Sequence, residues 1–192
     1  SWSMFLEKLE KHEGHRNAIL IMHTEPLDPE GPNLFQTAEM LGIQNNIFFS
    51  RERLDFNQMN VLYNVSDFCM QVSYAEGFGL STLESMMAGN PILAVKTGGL
   101  TRQVVDHRDE TENGIALPVE FTTLVGSQQV PFINEDYVSN ETIANAFMTM
   151  YEMGPDKRKE LGKKARDYAL SEFSYQGTID AWHDSLNNVI ET

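Results

Sequence analysis

The segment that most constrains this chain is residues 75–91, with the sequence AEGFGLSTLESMMAGNP. The apolar run at residues 67–73 just before it predicts a buried strand, and residues 80–88 have the pattern of a helix. Gly77 and Gly79 lie between the two and permit a tight turn. The segment therefore predicts a strand, a glycine-rich turn and a helix in direct succession.

A helix that begins directly after such a turn leaves its first backbone N–H groups without partners. Together with the helix dipole, these groups form a seat for an anion such as a phosphate. Glu76 lies in the turn, and Glu84 lies about two helical turns further along on roughly the same face. Because carboxylates would repel phosphates, we expect them to bind neutral hydroxyl groups of the ligand. A nucleotide-sugar has this layout, with a ribose and a hexose on either side of a diphosphate.

At this point the segment resembles the retaining nucleotide-sugar glycosyltransferases of the GT-B architecture, the group that includes sucrose synthase and the phosphatidylinositol mannosyltransferases. Their signature is Glu-x7-Glu with a glycine-rich turn after the first Glu. Residues 76–84 match that signature, followed by Gly89 and Pro91. The resemblance runs from about His15 to the end of the chain, and it identifies the chain as the C-terminal, nucleotide-sugar-binding domain of a group 1 glycosyl transferase.

The resemblance implies a role for each residue of the turn. Glu76 faces the donor hexose and is the catalytic candidate, whereas Glu84 binds the ribose hydroxyls. The residues that follow Glu76 would offer backbone N–H groups to the hexose and the phosphates: Gly77, Phe78, Gly79 and Leu80. For Phe78 an alternative stays open, in which the ring caps the core while its backbone binds the ligand.

A second glycine turn, Gly98-Gly99, resembles another donor-binding turn of the family. The family usually carries a Glu soon after these glycines, whereas this chain has Thr101-Arg102-Gln103. Lys96 and Arg102 are candidates for a phosphate contact, and the alternative for both is a solvated side chain.

The nucleobase pocket of the family lies after the strand that corresponds to residues 47–49. Ser50, Arg51 and Arg53 are therefore its candidates, with an exposed basic loop as the alternative. The resemblance implies that the nucleotide-sugar is a substrate, and no cofactor is expected.

Charge and composition narrow the function classes. The formal charge of −14 argues against a nucleic-acid groove, because phosphate backbones are bound by clustered Lys and Arg. The five histidines are scattered without metal-ligand spacing, so no metal site is expected. Cys69 is the only cysteine, which predicts a reducing compartment. We expect a soluble cytoplasmic protein, with membrane contact through sequence outside this chain left open.

The order of apolar runs predicts the fold class. Strands and helices alternate through residue 117, which predicts a Rossmann-like, doubly wound parallel sheet. Residues 119–137 break the rhythm, and we expect an irregular excursion there with a short strand at residues 129–132. Three helices are predicted after it, at residues 140–153, 156–172 and 178–190.

The resemblance also implies what surrounds residues 1–192, which we expect to be one donor-binding half of a GT-B fold. The amino-terminal acceptor domain of the family, and the first strand of the nucleotide domain, have no counterpart in this sequence. In the family the last helix crosses back to the acceptor domain. The stripe of Ile179, Trp182, Leu186, Val189 and Ile190 is accordingly expected to be an exposed apolar patch or to be covered in a dimer.

The sequence also bears on two other function classes. A dinucleotide-dependent oxidoreductase needs Gly-x-Gly-x-x-Gly directly after its first strand, where this chain has His23-Thr24-Glu25-Pro26. That class is excluded. A non-catalytic nucleotide-binding module of the same fold stays open as the alternative to a glycosyltransferase.

Overall fold

The alternating apolar and amphipathic segments fold into layers of helices and strands. A computed structural model describes residues 1–190. The helices are α1 (Trp2–Glu13), α2 (Leu34–Met40), α3 (Phe56–Asn64), α4 (Leu80–Ala88), α5 (Leu100–Val104), α6 (Asn140–Glu152), α7 (Gly154–Glu172) and α8 (Tyr175–Ile190). The strands are β1 (Leu20–His23), β2 (Ile47–Ser50), β3 (Cys69–Gln71), β4 (Ile92–Val95), β5 (Gly114–Leu117), β6 (Phe121–Val125) and β7 (Ile133–Tyr137).

The strands β1 to β5 form parallel pairs in two groups. β1 pairs with β2, from Leu20 opposite Ile47 to His23 opposite Ser50. β4 lies between β3 and β5 and is parallel to both. β6 and β7 form a separate antiparallel hairpin. Parallel neighbours joined through helices are the mark of the predicted Rossmann-like fold, which is confirmed.

Polar residues at three helix starts explain why those helices begin where they do. The side chain of Asn33 accepts the Gln36 N–H ahead of α2, and Ser139 accepts the Thr142 N–H ahead of α6. Asp55 forms a reciprocal capping box ahead of α3. Each cap pairs an N–H group that the helix itself leaves without a partner, which is typically worth about 1 kcal/mol.

The buried strand β4 divides the apolar core into two layers. Leu93 and Val95 pack into a cluster with α1 and α6, whereas Ile92 and Ala94 pack into a cluster with α4 and α7. Because successive side chains of a strand point to opposite faces, helices cover both faces of the sheet. This is the doubly wound arrangement that the alternation of segments predicts.

The region between β5 and α6 differs from its prediction. The short strand expected at residues 129–132 is wrong, since these residues lie in the connection of the β6–β7 hairpin. The two hairpin strands flank this connection. In β7, polar residues such as Asn134 and Asp136 interrupt the apolar run that would predict a strand. Helix α5 follows the second glycine turn and was not predicted.

Helix α8 carries the exposed apolar stripe expected from the sequence. Trp182 is 66% exposed and Leu186 is 56% exposed, and α8 contains no buried residue. The exposed patch is therefore confirmed, while a dimer formed through it stays a prediction. None of the helices in the described range is long and apolar enough to cross a membrane.

Packing of α7 against the end of α4 depends on Gly162. A Cβ atom at this position would lie 2.0 Å from the backbone oxygen of Gly89. Replacing a helical glycine by alanine normally gains about 1 kcal/mol of helix propensity, but a clash with backbone costs about 1–3 kcal/mol. Because the Gly89 backbone is fixed at the end of α4, we expect the clash to prevail.

Gly162→Ala should accordingly lower the free energy of unfolding by roughly 1–2 kcal/mol, as measured by denaturant melts. Gly31→Ala is the matched control, because its Cβ would find no atom nearer than 3.9 Å. Equal stability of the two variants would contradict the packing described here.

Candidate functional site

The predicted glycine-rich turn joins the carboxyl end of β3 to α4. Gly79 lies at the amino end of α4 with a φ of 91°, a left-handed conformation that glycine adopts without strain. No side chain caps this helix start. The first N–H groups of α4 are thus available to an anion, as the strand, turn and helix predicted.

The second glycine turn packs directly against the first. The Gly99 N–H donates to the Glu76 carbonyl oxygen at 3.2 Å. A Cβ at Gly98 would lie 1.9 Å from the same oxygen. The structure therefore brings together two turns that are distant in sequence, and their contact leaves room for glycine alone.

The two signature carboxylates have different surroundings. Glu76 is half-buried in the turn, where the Gln71 Nε2 group donates to its Oε2 at 3.2 Å. Glu84 is exposed on α4 and accepts a hydrogen bond of 2.8 Å from the Tyr63 hydroxyl. Burial, followed by this hydrogen bond, raises the pKa of Tyr63 above its ordinary value. Tyr63 thus stays a donor that orients the Glu84 carboxylate.

A buried amide beneath the turn was not found from the sequence. Gln103 of α5 is fully buried, and its Nε2 group donates to the Phe78 oxygen at 2.6 Å and to the Gly79 oxygen at 3.1 Å. The Thr82 hydroxyl, also buried, donates to the Gln103 Oε1 atom. One side chain thereby connects α5, the turn and the first residues of α4.

The hairpin lies against the residues that precede both glycine turns. Tyr137 stacks on Tyr74 at 4.3 Å between ring centres, and the Asp136 N–H donates to the Tyr74 oxygen at 2.7 Å. Hydrogen bonds from Thr122 and then from Thr97 lower the pKa of the Asp136 carboxyl. Tyr74 comes just before Glu76 and Thr97 just before Gly98, so the hairpin stands beside the site.

The predicted ring and helix-start residues lie at the surface of the turn. Phe78 is 42% exposed and packs edge to face on Phe173, so its ring covers the core only in part. Leu80 is 69% exposed at the start of α4. Gly77 is exposed as well, and a Cβ there would meet nothing within 4 Å. An exposed turn backbone is accessible to a ligand.

The predicted cationic residues are less closely associated with the turn. Arg102 forms an ion pair with Glu172 of α7, whereas Lys96 is exposed beside the second glycine turn. Arg51 pairs with Glu25 at 3.1 Å. The pairing of Arg102 and Arg51 with carboxylates reduces the positive charge that they offer to a ligand.

The nucleobase candidates lie at the end of β2. The Ser50 hydroxyl contacts the His23 Nδ1 atom at 3.0 Å, which joins the carboxyl ends of β2 and β1. Arg53 is exposed in the following loop. A groove of about 940 Å³ has His23 and Gln71, at the carboxyl ends of β1 and β3, in its lining. Within residues 1–190, no three His, Cys, Asp or Glu side chains are grouped to hold a metal ion.

Comparison with known proteins gives a family match. The sequence profile of the family described as "Glycosyl transferases group 1" matches residues 5–168. The match begins earlier than the resemblance at His15 and stops before the end of α7, so it leaves out α8. It covers both glycine turns and both signature glutamates.

Curated relatives are longer than this chain. A D-inositol 3-phosphate glycosyltransferase from Catenulispora acidiphila is 30% identical over 112 residues, which are 58% of this chain and 26% of that protein. A trehalose synthase from Pyrococcus horikoshii is 26% identical over 165 residues, which are 84% of this chain and 34% of that protein. The chain thus spans about a third or less of these relatives.

Solved structures share the fold. Sucrose-phosphate synthase from Thermosynechococcus elongatus superposes with a TM-score of 0.70 at 19% identity, over 98% of this chain and 42% of that chain. The C-terminal domain of the group 1 glycosyl transferase LpcC from Francisella tularensis superposes with a TM-score of 0.63 at 20% identity, over 91% of this chain and 77% of that chain. HepE from Anabaena, solved in complex with UDP, superposes with a TM-score of 0.62 at 21% identity, over 98% of this chain and 55% of that chain.

Proposed function

The chain belongs to the group 1 glycosyl transferase family, and from that premise we propose that it is the donor-binding part of a glycosyltransferase that uses a nucleotide diphosphate sugar. The observation that carries this proposal is the uncapped start of α4 beside Glu76, with Glu84 on the exposed side of the same helix. HepE, which shares the fold, has been solved with UDP and with UDP-glucose. These complexes support a nucleotide-sugar as the ligand.

The start of α4 provides the contacts to the diphosphate. The diphosphate binds the free N–H groups at the start of α4, and each hydrogen bond to this charged ligand contributes about 1.5–3 kcal/mol. Such local donors offset the formal charge of −14, which is unfavourable for an anionic ligand. As the sugar leaves, negative charge develops on the diphosphate, and donors already in position stabilise it.

The two carboxylates bind opposite ends of the donor. Glu84, held by Tyr63, accepts hydrogen bonds from the ribose hydroxyls. Glu76, held by Gln71 at the contact between the glycine turns, faces the hexose. Transfer with retention of the anomeric configuration, and without a metal ion, belongs to this proposal because of the resemblance to the GT-B enzymes.

The proposal includes a second domain. The two curated relatives compared above are more than twice as long as this chain, and a cleft between two domains would place the acceptor beside the donor. The exposed apolar face of α8 is a candidate surface for that contact.

A second candidate is a nucleotide-binding module without transfer activity. It is favoured by one observation, the absence of a glutamate after Gly98-Gly99, where Arg102 instead pairs with Glu172. Turnover of a panel of nucleotide-sugars by the full-length protein separates the two candidates, because only a glycosyltransferase releases nucleotide diphosphate in step with a glycosylated acceptor.

Exchanging each of the two carboxylates for an amide should affect the two ligands differently. Glu84→Gln should weaken binding of free nucleotide diphosphate by about 1–2 kcal/mol, since the ribose loses its charged acceptor. Glu76→Gln should leave that ligand unaffected and weaken only the nucleotide-sugar. Isothermal calorimetry with both ligands measures the difference.

The control is Glu7→Gln, an exposed glutamate on α1, which packs with α6 in the other helix layer. Its binding should match that of the unchanged chain. If Glu76→Gln weakened free nucleotide diphosphate as much as it weakened the nucleotide-sugar, as is expected for Glu84→Gln, the assignment of the two ends would be contradicted.

A further inference from the structure

The β6–β7 hairpin is joined to the site by three stacked aromatic rings. Phe121 and Tyr137 lie directly opposite each other in the hairpin, with their rings within 3° of parallel and 4.8 Å apart between centres. Tyr137 also stacks on Tyr74, at 4.3 Å between centres. Tyr74 belongs to the segment between β3 and the first glycine turn. The ring of Tyr137 therefore connects the hairpin to the chain that leads into that turn.

The hairpin holds the backbone of Tyr74 as well as its ring. The Asp136 N–H donates to the Tyr74 carbonyl oxygen at 2.7 Å, a short distance for an N–H donor. The Asp136 carboxylate accepts the Thr122 hydroxyl of the opposite strand at 2.6 Å, which ties β6 to β7 beside this contact. Because Tyr74 is 53% exposed, its position depends largely on these contacts with the hairpin.

Glu76 follows Tyr74 after one residue, and its carboxylate is held by a shared donor. The Gln71 Nε2 group donates to the Ser73 hydroxyl oxygen at 2.7 Å and to the Glu76 Oε2 atom at 3.2 Å. The longer of these two bonds lies at the upper end of the usual range for an N–H donor. The Glu76 carbonyl oxygen accepts the Gly99 N–H, also at 3.2 Å. The direction of the carboxylate therefore depends on the path of the chain from Tyr74 to Glu76.

The start of α4 is held by a different element. Gln103 of α5 donates to the carbonyl oxygens of Phe78 and Gly79, and it accepts the Thr82 hydroxyl. Gln103 and Thr82 are both fully buried. These contacts involve α5 and α4 and not the hairpin. The first glycine turn thus has two separate supports, the hairpin at its Glu76 end and α5 at its α4 end.

We propose that Tyr137 is a positioning residue for Glu76, and that it sets the preference of the site for a nucleotide-sugar over free nucleotide diphosphate. Tyr137 acts through Tyr74, whose ring it holds at the entrance to the turn. The inference rests on the proposed function, in which Glu76 faces the hexose. Because α5 supports the start of α4 separately, Tyr137 affects the hexose end of the donor and leaves the diphosphate end in place.

Calorimetry with two matched ligand pairs tests this preference: UDP with UDP-glucose, and ADP with ADP-glucose. Tyr137→Leu removes the ring stack and keeps an apolar side chain. It should weaken binding of the nucleotide-sugar about tenfold, the size of one lost hydrogen bond to a charged group, and change binding of the free diphosphate less than about twofold. Tyr137→Phe keeps the ring and should restore the affinity for the nucleotide-sugar.

Phe132→Leu is the matched control, because this ring is 78% exposed in the connection of the same hairpin. Its binding of all four ligands should equal that of the unchanged protein. A thermal melt verifies folding of each variant. Tyr74→Leu removes the same stack from its other partner, and it replaces Tyr137→Leu if that variant does not fold. Equal weakening of the free diphosphate and the nucleotide-sugar would overturn the proposal.

A double variant tests whether Tyr137 acts through Glu76. Changes to residues that act as a unit are not additive. Tyr137→Leu combined with Glu76→Gln should therefore bind the nucleotide-sugar as Glu76→Gln alone does. A further tenfold loss in the double variant would show that Tyr137 acts elsewhere and would overturn the proposal.

Backbone amide NMR of the ligand-free protein tests the positioning without any nucleotide. Tyr137→Leu should shift the signals of residues 74–77 and leave those of residues 80–83 at the start of α4 unchanged. Unchanged signals at residues 74–77 would overturn the proposal. If none of the four ligands binds the unchanged protein, the proposed function fails for these nucleotides, whereas the NMR comparison still decides whether Tyr137 positions Glu76.

Discussion

Gly98→Ala is expected to weaken nucleotide diphosphate binding by more than a hundredfold. The added Cβ would lie 1.9 Å from the Glu76 backbone oxygen, and the φ of Gly98 is +46°, which an alanine adopts with strain. This clash would push the two glycine turns apart. Glu76 and the start of α4 would then both be displaced from their positions. Strain and overpacking of about 3 kcal/mol or more correspond to that loss of affinity.

Calorimetry with nucleotide diphosphate measures the effect, alongside a thermal melt to verify folding. Gly77→Ala is the matched control, because a Cβ at Gly77 would meet no atom within 4 Å. That variant keeps its backbone N–H and should bind nearly as the unchanged chain does. Undiminished binding by folded Gly98→Ala would show that contact between the turns is not required.

The 192-residue chain by itself is expected to bind nucleotide weakly and to transfer no sugar to an acceptor. In the proposed enzyme, a second domain holds the acceptor against the donor. Holding two reactants together lowers the barrier by roughly 7–11 kcal/mol, which one side of a cleft does not supply. Slow hydrolysis of the donor, in which water accepts the sugar, is compatible with this proposal, because the start of α4 binds the leaving group.

A transfer assay with the isolated chain and the full-length protein, run with the same nucleotide-sugars, measures this difference. Release of nucleotide diphosphate without a glycosylated product is the expected result for the isolated chain. Rapid transfer to an acceptor by the 192 residues alone would contradict the two-domain proposal.

Local patterns were sufficient to predict the signature segment. α4 spans Leu80–Ala88, the predicted bounds, because Gly79 and Gly89 stand at its two ends in left-handed conformations. The parallel sheet was predictable for a related reason, since each strand is an apolar run next to an amphipathic segment. In both cases neighbouring residues contain the determining information.

The hairpin shows where local patterns fail. Its strands contain exposed residues on both sides of a polar connection, so neither a helical nor an alternating period is evident. What holds it is the stacking of Tyr137 on Tyr74 and on Phe121, together with the hydrogen bond from Asp136 to Tyr74. Contacts across such a distance in sequence are not visible in a single chain.

The same limit applies to the residues that support the site. Tyr63 and Gln103 gave no motif, although they hold Glu84 and the turn backbone. One signal was present for Gln103, a polar residue between the buried positions Leu100 and Val104 on α5. The pairing of Arg102 with Glu172 was equally invisible, because the two residues are 70 positions apart.

The central claim is that a nucleotide diphosphate binds at the start of α4, and an NMR titration of the isotope-labelled chain with UDP, ADP and GDP tests it most directly. We predict that at least one nucleotide shifts the backbone amide signals of residues 77–81 and 98–100 in a saturable manner. The same amides should respond little in folded Gly98→Ala. Shifts confined to other surfaces, or no shift with any of the three nucleotides at millimolar concentration, would contradict the account.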